Sequence, residues 1–549
     1  MQIHQTNVIK YKKIKAGVTT FFLKNKIIIV PFIFILLYIS LYFLIDFSTQ
    51  SLVAHDEGLY ARRARLVENS NNWFNPPFPS PHHKTLGSYW LIAFSIRLFG
   101  NSELALRLPS ILCSFLCLIS SYLIALKITN KKSALISLFS LSSMPLWIQY
   151  SKYASPDIPF VLSTLLVVLF FLYFLDSSQF IKQHLYIFLA GFFVSISFFI
   201  RSYMAFVPLI GLAPFIFYHL SRIENSIKAF FLSGIFFGFF PSSLNLYFSF
   251  NQFGITGITT LFDFARKKAL GEVGFNNLLL VPLNFLYLTF PIGILLLILF
   301  VFTRSNIRNN YPLLIYCYPF ISLILLLSMS TSYVHYYLFL VPYLSIIFGS
   351  YISSFTFRYS FSRPIISYSL LIIITLLSSI LLASIFNYPD LILQNSNPNT
   401  LISYILVSFL LLSYFTSIKF LFDINELNLN LVKFFYNIII PQYISLSLLF
   451  NFGVLGNPNY KTKLFLRDNT VASIIKTNTI YLYSLDSKSQ TLLSYYLPSS
   501  KVVKDFNDFS EYKYVITSNS NSSENVDLKK LFVPVKKFDN NLLLMNISK

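Results

Sequence analysis

Apolar runs of about twenty residues recur along most of this chain, each long enough to cross a hydrocarbon core of ~30 Å as a helix. A helix satisfies every backbone polar group within its own segment, which lipid demands. The runs read as about thirteen spans: Ile27–Leu44, Leu108–Leu126, Ala134–Tyr150, Ile158–Leu175, Leu185–Ile200, Tyr203–Tyr218, Ala229–Phe250, Leu278–Phe302, Pro312–Met329, Tyr336–Phe355, Ile365–Phe386, Leu401–Ile418 and Phe434–Phe452. Only 11% of the residues are charged and 55% are hydrophobic, whereas a soluble domain carries roughly 25% charged residues. The expected fold class is an all-α polytopic membrane protein with a small C-terminal extracytoplasmic α/β domain.

The net charge of +21 does not point to nucleic acid, because many lysines and arginines fall in short clusters between apolar runs. A basic N-terminus (Lys10, Lys12, Lys13, Lys15, Lys24, Lys26) sets residues 1–26 in the cytoplasm. Alternation then places Lys127/Lys131/Lys132, Lys182, Arg222/Lys228, Arg304/Arg308, Arg358/Arg363 and Lys419/Lys433 on the same side. The first apolar run is too long for a signal-peptide core and lacks a cleavage pattern, so it reads as a retained span. An odd span count sends residues 453–549 outside, where Thr479–Leu485, Tyr512–Thr517 and Leu542–Ile547 look strand-like. Between these ends, 27–452 forms the membrane domain, with a long first outer loop at 47–107. Cys113, Cys117 and Cys317 show no paired spacing and imply no disulfide framework.

Two outer segments hold more charge than topology needs. One is the loop with Asp56, Glu57, Arg62, Arg63, Arg65, Lys84, Arg97 and Arg107; the other carries Asp263, Arg266, Lys267, Lys268 and Glu272. Lys152, Asp157, Arg201 and His335 stand at the outer ends of further helices. Acids and cations gathered at one depth on one side suit binding of a phosphate and handling of a proton. The plainer reading is interfacial snorkelling or salt bridging, which fits lone arginines such as Arg97 and Arg107. Asp56 directly follows a span, where an unpaired carboxylate is costly, and reads as functional.

The segments His55-Asp-Glu-Gly-Leu-Tyr-Ala, His83-Lys-Thr-Leu-Gly-Ser-Tyr-Trp with its following Leu-Phe-Gly, Glu103-Leu-Ala-Leu-Arg-Leu-Pro-Ser, Ser155-Pro-Asp-Ile-Pro, Phe199-Ile-Arg-Ser-Tyr and Tyr333-Val-His-Tyr-Tyr-Leu-Phe-Leu-Val-Pro stand in order along the chain. Together they resemble the C-type glycosyltransferases of the protein O-mannosyltransferase and aminoarabinose-transferase kind. In this chain His83 replaces a usual Glu, Thr85 and Leu86 replace two prolines, Arg201 replaces a lysine, and Ser332 stands where a lysine is common.

The resemblance implies an inverting transfer of a sugar from a polyprenyl phosphate to a lipid, glycan or protein acceptor at the plasma (inner) membrane. It implies Asp56 as base or acceptor-positioning acid, Asp157 as second acid and Glu57 as a weaker third. Lys84 and Arg201 are expected on the donor phosphate, where fixed cations offset the departing charge. Arg266, Lys267 and Lys268 are placed at its pyrophosphate-like or acceptor end, although an exposed basic triplet is equally a solvated face. Tyr60, His83, His335 and Tyr336 complete the expected lining. His55, His82, His83 and His335 invite a metal reading, but adjacent loop histidines rarely share one ion, so no ligand is assigned and a divalent metal stays an open alternative. The rival function is a transporter or flippase of an anionic lipid or solute, which would want polar residues along both halves of a path. An idle scaffold is the third, against which Asp56, Lys84 and Asp157 speak.

Overall fold

The computed structural model describes residues 50–81, 84–270, 274, 276–305, 311–357, 400–419, 427–457, 459–503, 512–518, 532–538 and 541–546, with 368, 369, 372 and most of 31–41. Of the expected spans, Ile27–Leu44 is described only within 31–41, and Ile365–Phe386 lies outside the described residues but for three positions.

The expected outer loop at 47–107 is not open coil. It contains helices α1, Leu59–Ser70, and α2, Gly87–Phe99. In α1 the buried residues Tyr60, Ala61, Ala64 and Val67 recur at helical spacing under a charged outer face, a stripe too narrow to register in a search for spans.

Among the described residues, five helical runs are long and apolar enough to cross a membrane, and a sixth candidate is bent by 103° between Asn277–Leu288 and Ile292–Val301. The five include α3, Glu103–Ile128; α4, Asp157–Asp176; and α7, Asn225–Phe253. Helices α5, Phe180–Arg201, and α6, Phe206–Leu220, form one run of 41 residues, interrupted at Ser202 with φ 55°. At ~1.5 Å per residue that run exceeds the ~30 Å core about twofold, which is why hydropathy divides it into two spans. The fifth is Val334–Ser353, whose longer part is the helix Val341–Ser354.

Ala134–Tyr150 also differs from expectation. It is two helices, Lys131–Ser143 and Pro145–Tyr150, separated at Met144, whose extended backbone is the conformation favoured before a proline. Small residues let these helices approach closely: a Cβ on Gly191 of α5 would stand 2.1 Å from the Phe231 carbonyl oxygen of α7, and one on Gly234 would meet the Phe188 carbonyl equally closely. The chain is a mostly helical, multi-span membrane protein.

After the helix Leu427–Asn451 comes a small mixed sheet with its own apolar core, including Phe465, Val471, Ile480, Leu482, Leu493, Ile516 and Leu543. Ile480–Tyr483 pairs in parallel with Lys501–Val503 and Tyr514–Ser518, while Asn541–Asn546 runs antiparallel between Tyr514–Ser518 and Phe532–Phe538. The three segments read as strands from sequence are strands, within a few residues at each end. One helix of this unit, α8, Ser487–Tyr496, leaves the sheet and packs on the membrane part: Leu492 and Tyr495 share a buried cluster with Leu52, Ala54, Tyr60, Ala61 and Ala64.

Candidate active site

Residues from widely separated stretches of the chain converge on one cavity of about 1060 Å³. Its polar part holds Asp56, Tyr60, Lys84, Asp157, Arg201, Lys268, His335 and Tyr336; Val207, Ile210, Leu288 and Leu325 give it an apolar wall.

Asp56 lies in a single π-helical turn, Ala54–Gly58, that leads into α1. Its carboxylate is half-buried and makes no hydrogen bond or ion pair with a described residue. Burial pushes this carboxyl above its ordinary range; the negative charge of Asp157 adds to the effect, and Arg201 and Lys84 oppose it. A carboxylate in that state is a stronger base than one in water.

Asp157 is the first residue of α4, where the helix dipole favours an anion. It is held by Arg201, the last residue of α5, at 2.8 Å. The sequence shows no partner for Arg201, because 44 residues separate the two in the chain. Arg201 also faces the Tyr336 ring, 5.6 Å from its centroid.

Lys84 precedes α2 and donates to the Tyr60 hydroxyl at 2.8 Å. Two contacts pin it beside the end of α5. The Thr85 hydroxyl donates to the Phe198 carbonyl at 3.2 Å, and Gly87 lies so close to the Phe199 carbonyl that a Cβ there would stand 2.5 Å from its oxygen. Burial lowers the Lys84 ammonium from its usual range, so an arriving anion restores charge stabilisation that the protein has removed.

Of the basic triplet, Lys268 enters the cavity while Arg266 and Lys267 are exposed and do not line it. Successive residues on the helix Thr256–Leu270 point about 100° apart, so one of three adjacent cations faces inward. Lys268 bonds the Thr331 hydroxyl and lies 5.1 Å from the Tyr333 ring centroid and 5.5 Å from that of Tyr336. His335 stacks on Tyr333, and its Nδ1 is 3.2 Å from the Tyr150 hydroxyl. Tyr150 is thus a lining residue that motif reading does not select; within the expected triplet, the amphipathic period of the helix Thr256–Leu270 is the signal that singles out Lys268.

Glu57 points away from the cavity. It is fully buried and takes two bonds from Arg107, Nε to Oε1 at 2.8 Å and Nη2 to Oε2 at 2.7 Å. It also accepts the Val53 and Ala154 amides, both at 2.9 Å. All its lone pairs are thereby engaged, which fits a brace between the Asp56 turn and the loop leading to Asp157 and leaves no room for a proton-transfer role. Arg107, expected to snorkel at the interface or to pair in a salt bridge, does pair, and is buried in that brace.

His82 and His83 lie outside the described residues, as does the side chain of His55. Among the described residues no three His, Cys, Asp or Glu side chains gather in a metal-binding group.

Residues 83–248 match the family described as dolichyl-phosphate-mannose-protein mannosyltransferase, so the resemblance read from the sequence holds. An uncharacterised protein of Aquifex aeolicus (strain VF5) is 27% identical over 154 residues, 27% of this chain and 31% of that one. The undecaprenyl phosphate-alpha-4-amino-4-deoxy-L-arabinose arabinosyl transferase of Shewanella sediminis (strain HAW-EB3) is 26% identical over 203 residues, 36% of each chain. The chain therefore spans about a third of the length of these curated relatives. The crystal structure of ArnT from Cupriavidus metallidurans in the apo state superposes with a TM-score of 0.70 at 15% identity, covering 95% of this chain and 98% of that one. Its form bound to undecaprenyl phosphate also gives 0.70 at 15% identity, covering 96% and 99%. The fold is ArnT-like.

Proposed function

We propose that this chain is an inverting membrane glycosyltransferase that moves a sugar from a polyprenyl-phosphate donor to a lipid, glycan or protein acceptor. The observation that carries the reading is one cavity in which an unpartnered carboxylate, Asp56, faces three cations, Lys84, Arg201 and Lys268, beside an apolar wall. A ligand with a phosphate head and a hydrocarbon tail matches both halves of that surface. The name of the Shewanella sediminis relative, which uses an undecaprenyl-phosphate sugar, supports the same donor class.

In the proposed step an acceptor oxygen attacks the anomeric carbon from the face opposite the phosphate, forming one C–O bond as the sugar–phosphate C–O bond breaks. The acceptor proton passes to Asp56, and the electron pair of the broken bond leaves on the polyprenyl phosphate. Lys84, Arg201 and Lys268 stabilise that anion, with Asp157 orienting Arg201. Tyr60, His335 and Tyr336 shape the sugar's surroundings.

In this reading the chain makes about thirteen crossings with a cytoplasmic N-terminus and an extracytoplasmic tail, and the step belongs to the outer side of the plasma (inner) membrane. Lys488 of α8 lines the cavity, which supports tail and site sharing one side. The test reconstitutes purified protein in vesicles with a labelled polyprenyl-phosphate sugar and candidate acceptors. Label leaving the polyprenyl lipid for an acceptor supports the proposal; label that changes leaflet while staying on its lipid would show a flippase instead.

A further inference from the structure

Residues 50–53, which lead into the Asp56 turn, belong to no helix or strand, yet 50–52 are buried and Val53 is half-buried. Buried backbone groups need partners, and here side chains supply them. Lys463 donates to the Gln50 carbonyl at 2.7 Å, the Asn457 side-chain carbonyl accepts the Ser51 amide at 3.0 Å, and the Tyr496 hydroxyl accepts the Leu52 amide at 3.0 Å. Asn459 donates to the Leu52 carbonyl at 3.0 Å. Arg107 serves the Ser51 carbonyl at 3.1 Å and Glu57 the Val53 amide at 2.9 Å. Four of these six groups are therefore held by residues more than 400 positions away, in and just before the C-terminal α/β unit. Arg65 of α1 is also bound there, to the Tyr495 carbonyl at 2.9 Å, and the Asn101 side-chain amide nitrogen donates to the Tyr495 hydroxyl at 3.0 Å.

We propose that the C-terminal unit is part of the catalytic apparatus as a clamp, with Tyr496 the positioning residue that sets Asp56 against the acceptor. The proposal rests on the reading of Asp56 as the base. The Val53 carbonyl, next along from the clamped groups, accepts the amides of Glu57 and Gly58 at 2.7 and 3.0 Å and so starts the turn that carries Asp56. Loss of the Tyr496 hydroxyl leaves the Leu52 amide without its acceptor in a buried place, and the cheapest remedy is a shift of 51–53 that moves the turn. The ring of Tyr496 and its packing survive in Tyr496→Phe, so folding of the unit is spared.

The test uses the purified full chain. Tyr496→Phe is expected to lower kcat about tenfold, the scale on which small misplacements act, with donor KM unchanged and the chain still folded, its melting temperature lowered slightly by the orphaned Leu52 amide. In the Asp56→Asn background the same substitution should have no further effect on the residual rate, because a residue acting through Asp56 has nothing left to act on. Independently of turnover, the rate at which a thiol reagent modifies Asp56→Cys should change severalfold when Tyr496→Phe is added, since that reports the position of residue 56 alone. Unchanged kcat and thiol reactivity in folded Tyr496→Phe would overturn the clamp, as would multiplicative losses in the double variant. Near-normal transfer by Asp56→Asn alone would instead overturn the base assignment, and the thiol measurement would still decide whether the clamp exists.

Discussion

Asp56 and Glu57 are neighbours in sequence and opposites in surroundings. Asp56 enters a cavity with three cations around it and no hydrogen-bond partner. Glu57, one residue on, is closed in a knot with Arg107, where side-chain exposure is 0% and 2%. The cavity leaves the Asp56 carboxylate open to something that arrives, even though Arg201 beside it is paired with Asp157; the knot closes its acid and its cation on each other. Charge density along the loop is the same for both, so pairing and not abundance separates a working site from its support.

The sharpest way to break this contrast is Arg107→Ala. It strands the buried Glu57 carboxylate, so stability should fall by roughly 3–5 kcal/mol, seen as a clear drop in melting temperature. A melt within a degree of wild type would mean the knot is not structural.

Lys84→Ala addresses the other side. The loss of one charge-assisted contact should cost about 1.5–3 kcal/mol in donor kcat/KM, while the melting curve stays close to wild type. Unaltered donor dependence would return Lys84 to a structural role.

A smaller effect distinguishes members of the basic triplet. Lys268→Ala should reduce donor kcat/KM severalfold, and Lys267→Ala should leave it unchanged, because only the former cation lines the cavity. Equal losses would spread the phosphate site over the exposed face of the helix.

The gentlest perturbation is pH. The base must be ionised, and burial raises the Asp56 pKa above its ordinary value of 3.8. The rate should therefore be full well above that raised pKa and fall as pH drops through it, giving an acid limb displaced upward from 3.8. An acid limb at or below that value would remove Asp56 from the rate-limiting proton transfer.

Much of the frame was legible in the sequence. Apolar runs announced the membrane helices, and period-two segments announced strands such as Tyr514–Ser518. Breaks inside helices were less visible: Pro145 signalled one, but the turn at Ser202 has positive φ without a glycine to mark it. At the site, Asp56, Lys84, Asp157 and Arg201 stood in motifs that the fold brings together. Which acid is paired was hidden, since Arg107 reaches Glu57 from 50 residues away. The grip of Tyr496 on Leu52 was hidden more deeply, as it joins positions 444 residues apart through contacts with no local pattern. Charge alone singles out the whole triplet Arg266, Lys267 and Lys268, and helix phase selects Lys268 from it.

The central claim, that Asp56 removes the acceptor proton, is tested most directly by labelled-sugar transfer with purified wild type and Asp56→Asn, alongside their melting curves. Asparagine keeps the size and part of the hydrogen bonding but cannot accept the proton. The account predicts that transfer falls by roughly 100-fold or more while the melting temperature hardly moves, because this carboxylate has no partner to lose. Near-normal transfer by the variant would contradict it, and a loss of folded protein matching the loss of activity would make Asp56 a structural residue.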